Sequence, residues 1–232
     1  MHNHPTTRRA LEEALAYIRI AEAATYRNRA KAMLKAQFPK VIAAVAKLSR
    51  SRFSVTARLN FRARISGMLR RSAHKIAQLG WEAGGGSGKI PATMVRQYTQ
   101  RQQQHLIGWH KQIRATRGIP GGAGRAKMYV NSLMGLYNES WALAQELLGM
   151  PKLPAVPRDG STLCIVGCEC HWSKLKKVNP VTYVAYWKLG MAEHCPTCMC
   201  RAKHWNPLTF TNVGGQWVQR ISGGSPTCVL VA

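Results

Sequence analysis

"MPKLPAVPRDG", residues 150–160, decides how this chain of 232 residues is organised. Prolines 151, 154 and 157 each remove a backbone N–H and force the preceding residue towards extended conformations, so no helix can run through the stretch. Composition changes across it. A basic, helix-patterned domain (1–150) lies upstream, a stiff Pro-rich connector spans 151–160 with the boundary near residue 155, and a cysteine-rich module (161–232) follows.

From Thr6 to about Met150 the pattern is helical, broken at Pro39, at Gly84–Gly88 and at Gly118–Gly124. Apolar residues recur at helical spacing in three stripes: Ile65, Met68, Leu69, Ile76, Leu79; Val95, Tyr98, His105, Leu106, Trp109, Ile113; and Tyr129, Leu133, Leu136, Tyr137, Trp141, Ala144, Leu148. A first segment has Leu11, Leu15 and Ile18 on one side, and its pattern is diluted beyond Tyr26 by Arg27, Arg29, Lys31 and Lys35. "WEAGGGSGKIP" (81–91) reads as a flexible joint. It is not a phosphate-binding loop: Gly84 and Gly88 are four apart, Ile90 follows Lys89, and no strand precedes it.

Downstream, short strand-like runs alternate with cysteines. "TYVAYWKLG" (182–190) and "LTFTNVGGQWVQRI" (208–221) read as strands, the second folded into a hairpin at Gly214-Gly215. The expected fold class is mainly α: a basic multi-helix domain followed by a small cysteine-rich, zinc-ribbon-like β domain.

Charge narrows the function. Lys and Arg number 34 against 9 Asp and Glu, a formal net charge of +25. Such an excess points to a polyanionic partner, most simply nucleic acid. Between Glu22 and Glu139 the one carboxylate is Glu82, and the only aspartate is Asp159. Nucleases, phosphotransferases and glycosidases that cluster carboxylates around a metal or a proton find no such supply here. The candidate phosphate contacts are Arg27, Arg29, Lys31, Lys35, Arg50, Arg52, Arg58, Arg62, Arg64, Arg70 and Arg71, whose density suits non-specific backbone binding with steep salt dependence. No run approaches the roughly twenty apolar residues of a membrane span, and "MHNHPTTRR" (1–9) lacks an apolar signal core, so a soluble protein made in a cytoplasm is expected.

All seven cysteines follow residue 160, as Cys164-x3-Cys168-x-Cys170, then Cys195-x2-Cys198-x-Cys200, with Cys228 alone. Two tight thiol clusters separated by a strand-rich loop suit a tetrahedral zinc, and a segment of about 70 residues with few large apolar groups gains from such a staple. Cys164, Cys168, Cys195 and Cys198 are the first choice of ligands, Cys170 the strongest substitute, with Cys200, His194 and His204 after it. Disulfides between the clusters are the alternative use of the same thiols. A deaminase site would require a His-x-Glu before the paired cysteines, which is absent, and a His-Asn-His nuclease would have to conscript His171, His204 and Asn206.

"RAKMYVNSLMGLYNESWALA" (125–144), "LPAVPRDGSTLCIVGCECHW" (153–172) and "AYWKLGMAEHCPTCMCRAKHWNPL" (185–208) resemble minor head, or head-morphogenesis, proteins of tailed bacteriophages. The likeness covers roughly residues 95–208, and its specific part is the paired cysteine pattern. It implicates Cys164, Cys168, Cys170, Cys195 and Cys198 as a metal or crosslink cluster and no residue as catalytic. Cys200 and the strongly basic residues 1–60 depart from the family pattern. The resemblance implies a virion structural protein without enzymatic activity, assembled in the host cytoplasm in several copies per particle. Its partners would be capsid or portal proteins and packaged double-stranded DNA, with no membrane partner. A zinc-ribbon nucleic-acid-binding regulator is the alternative reading, and a His-Asn-His-like nuclease the third.

Overall fold

The computed structural model describes residues 22–157, 170–173, 175–190 and 194–221. The stripe Leu11, Leu15 and Ile18 falls outside them. The described chain is mainly helical, with a small antiparallel sheet region after the long helices. Residues 22–35 are helical (α1). Then come α2 (Phe38–Arg50), α3 (Val55–Ala83), α4 (Ala92–Thr116) and α5 (Gly122–Leu147).

Pro39 lies in the first turn of α2, where its missing N–H has no helical partner to lose. The break between α2 and α3 contains neither Gly nor Pro, and the helical reading of the sequence ran straight through it. There Arg52 and Phe53 adopt left-handed backbone, with φ of 48° and 58°. Ser54 then restarts the chain as the N-cap of α3, its hydroxyl accepting from the Ala57 N–H at 3.3 Å.

α3 is the central helix, packed on α2, α4 and α5. It meets α5 at two glycines one turn apart. A Cβ on Gly80 would stand 2.2 Å from the Tyr137 carbonyl oxygen, and one on Gly84 would stand 2.6 Å from that of Trp141. Only glycine allows the backbones this close. The "GGGSG" stretch is accordingly a tied turn: Gln78 donates to Gly88 O at 2.9 Å and accepts from Ile90 N at 3.1 Å, while Trp81 Nε1 donates to Ser87 O. Leu69, Ile76, Trp109, Ile113, Leu133 and Leu136 are fully buried around these helices. Trp109 is edge-on to Phe61 and stacked on Tyr129, at 5.5 and 5.2 Å. Two stripe residues differ from expectation: His105 is exposed, and Leu148 lies beyond the last turn of α5, half in water.

The connector is a packed strap. Burial alternates through Pro151, Leu153 and Ala155, as expected for extended chain, and the strap is tied on both sides. Asn138 of α5 donates to Pro157 O (3.1 Å), and Trp172 Nε1 donates to Ala155 O (2.6 Å).

Beyond it are β1 (His171–Trp172), β2 (Lys176–Asn179), β3 (Thr182–Ala185) and β4 (Trp187–Lys188), then α6 (Pro196–His204), β5 (Leu208–Val213) and β6 (Gln216–Ile221). β1 pairs with β4, and a four-stranded antiparallel sheet runs in the order β2-β3-β5-β6. Val213 and Gln216 are register partners across Gly214-Gly215, whose φ of 59° and 86° give the two-residue hairpin turn read from the sequence. α6 was not anticipated, since Cys195-x2-Cys198-x-Cys200 read as a tight cluster of metal ligands and not as helix. Pro196 in the first turn and the Cys195 side chain as N-cap start a helix there instead.

A second core forms under this sheet region. Trp172, Trp187 and Trp205 come together from β1, β4 and the end of α6, with ring centroids 5.1 to 6.2 Å apart. The Arg201 guanidinium is buried over two of them, 5.0 Å from Trp187 and 4.6 Å from Trp205.

Candidate nucleic-acid interface and thiol cluster

The candidate phosphate contacts divide by location. Arg50 ends α2 and Arg52 occupies the left-handed turn, both exposed. Arg64, Arg70 and Arg71 are exposed on α3, on the side away from its buried row. Arg29 and Lys35 are exposed on α1, and the Arg29 guanidinium stands 5.8 Å over the Tyr26 ring. Lys31 is half-buried. Arg27 turns inward: it is half-buried, acts on Tyr137, and lines a cleft of about 250 Å³ between α1, α5, the strap and β1. Burial pushes the Tyr137 hydroxyl up to about 12, against the opposing pull of Arg27.

Arg58 and Arg62 stand apart from the exposed row. They are half-buried, one turn apart on α3, and act on His110 of α4, as does Arg114 from His110's own helix. Arg58 is pinned by a 2.7 Å bond from its Nη1 to Phe53 O, the carbonyl of the left-handed turn. Burial, then the charges of Arg62, Arg58 and Arg114, hold the His110 imidazole below its usual 6.5, with a backbone contact at Arg58 opposing them. Sequence spacing could place Arg58 beside Arg62; it could not bring α4 to them.

Among the described residues, carboxylates do not cover this surface. Arg101 pairs with Glu139 at 3.0 Å and Lys152 with Glu146 at 3.7 Å. Among the described residues, none pairs with Arg50, Arg52, Arg58, Arg62, Arg64, Arg70 or Arg71.

Of the candidate metal ligands, Cys170, Cys195 and Cys198 are described; Cys164 and Cys168 lie outside the described residues. Cys170, the described member of the first cluster, lies beside His194, the residue before the second cluster. Cys170 is buried just before β1, and its Sγ is 3.7 Å from His194 Nδ1, beside the start of α6. Cys195 Sγ accepts the Cys198 N–H at 3.4 Å, and Cys198 is fully buried in the first turn. A peptide N–H on sulfur favours thiolate, and thiolates with an imidazole nitrogen are the donor types zinc prefers. Cys200 is disulfide-bonded, whereas Cys170, Cys195 and Cys198 are not in disulfides. Among the described residues no three donors close into a metal-holding group.

Asn206 has a structural task. Its Oδ1 accepts from Trp187 N (2.5 Å) and its Nδ2 donates to Trp187 O (2.9 Å), which ties the end of α6 to β4. Both ends of the amide are used, leaving little with which to orient a catalytic histidine.

Compared with family models, curated proteins and solved structures, the chain matches none. The likeness to phage minor head proteins therefore rests on the quoted motifs.

Proposed function

We propose that this chain is a structural protein of a tailed-phage head, a basic helical body that neutralises packaged DNA and is joined to a zinc-stapled module that docks on capsid or portal protein. The single observation that carries the reading is the row of arginines on α2, the following turn and α3 with no carboxylate partner among the described residues. Unpaired guanidiniums at this density suit phosphodiesters, which they contact without reading sequence. The reaction is binding and charge neutralisation; no step of covalent chemistry is required.

The module supplies rigidity. Zinc held by Cys170, Cys195 and Cys198 with Cys164 or Cys168 would lock the strand before β1 to the start of α6, and at such a closed site its contribution is to folding stability. What supports this is the burial of Cys170 and Cys198 and the contact of Cys170 with His194.

Purified phage particles containing this chain test the assignment. Cryo-EM should find it in few copies inside the shell or at the portal, with its arginine row towards DNA. Its absence from particles, while the protein accumulates in the host, would overturn the reading in favour of a cellular regulator.

A further inference from the structure

Four basic groups meet between α3 and α4: Arg58 and Arg62 from α3, His110 and Arg114 from α4. Three features set this cluster apart from the exposed row. Like charges gather here with no carboxylate among the described residues to offset them, an arrangement that costs free energy until an anion enters. The guanidiniums of Arg58 and Arg62 are half-buried and Arg58 is already fixed on Phe53 O, so less side-chain freedom is lost on binding. Finally, His110 Nε2 is buried and has no hydrogen-bond partner among the described residues. A nitrogen in that position is costly unless a ligand satisfies it.

We infer that Arg58, Arg62, His110 and Arg114 form a niche that seats one backbone phosphate of a double-stranded nucleic acid. The inference rests on the nucleic-acid reading and gives it an anchor. The guanidiniums are fork-shaped donors suited to the non-bridging phosphate oxygens. His110 supplies a further N–H when it is protonated. Burial and the charges of Arg62 and Arg58 from α3 and of Arg114 from its own helix disfavour its protonation, against a backbone contact at Arg58 that favours it. A phosphate among them reverses the balance, so binding takes up a proton and tightens as pH falls through the histidine range.

Two triple variants of equal charge test this: R58Q/R62Q/R114Q in the niche and R64Q/R70Q/R71Q on the exposed row. Each is checked for unchanged fold by circular dichroism. Affinity for a short duplex is read by anisotropy, and the His110 titration by NMR. The niche variant is expected to lose about tenfold more affinity than the row variant, and duplex binding is expected to raise the wild-type His110 pKa. Equal losses with an unmoved His110 titration would overturn the niche while leaving non-specific DNA binding intact. Inorganic pyrophosphate separates the sources. A His110 response to pyrophosphate with no duplex binding would overturn the backbone-phosphate assignment together with the nucleic-acid reading. Failure of the wild type to bind either one would overturn the niche outright.

Discussion

His110 ties electrostatics to stability at a single residue. In the unfolded chain it titrates near 6.5, and in the fold burial and three arginines hold it lower. The unfolded state therefore binds more protons than the folded state in the window below 6.5. The stability that the neutral imidazole contributes is complete above the unfolded value and is lost as pH falls from there through the folded value. Melting temperature should drop between pH 7 and pH 5, and His110→Gln should flatten that drop. An identical pH profile in the variant would show that other groups govern the acid limb. Cys195 and Cys198 are readable on the same scale. Cobalt substituted into the thiol cluster should show thiolate-to-metal charge-transfer absorption that is lost in Cys198→Ser. Absence of such a band, together with no zinc by elemental analysis, would remove the metal staple.

At the scale of elements, the crossing of α3 and α5 depends on the absence of side chains. Gly80→Ala places a methyl 2.2 Å from a backbone oxygen that cannot rotate away. The cost should be about 3 kcal/mol, read as a fall in melting temperature of roughly 6 to 12 °C. Gly108, exposed within α4 with nothing within 4 Å of a Cβ, is the control. Gly108→Ala should be neutral or stabilising by up to about 1 kcal/mol. Equal effects at the two sites would contradict the close-packed crossing. Much at this scale was legible in the sequence. The rows through Ile65 to Leu79 and through Tyr129 to Ala144 announced their helices because burial on one side imposes helical spacing. The hairpin at Gly214-Gly215 was readable because its turn demands positive φ twice. The break at Arg52-Phe53 was not, since no glycine or proline marks it. Nor was α6, whose N-cap is a cysteine that read first as a ligand. The tryptophan cluster had no local signature, because Trp172, Trp187 and Trp205 lie 15 or more positions apart and only the fold unites them. The candidate site divides the same way. Composition exposed the basic excess, but the cluster around His110 needs two helices in register.

The whole molecule joins two cores through a strap that both sides grip. Asn138 and Trp172 hold its backbone, and Trp217 Nε1 donates to Gly149 O at 3.3 Å just before it. The helical body and the sheet region should therefore respond to each other. Under the zinc reading, chelation should lower the melting temperature of the whole chain, not of the sheet region alone; a helical transition unmoved by chelator would separate the two. Charge acts at this scale as well, since +25 spread over 232 residues leaves much of the surface without neutralising partners. The central claim is that this surface exists to meet phosphodiester. Its most direct test is the affinity for a duplex of unrelated sequence across a range of salt. With six of the arginines engaged, log K against log [salt] should fall with a slope of about −5, since each phosphate contact contributes about −0.9. A slope near zero, or no binding at low salt, would contradict the account.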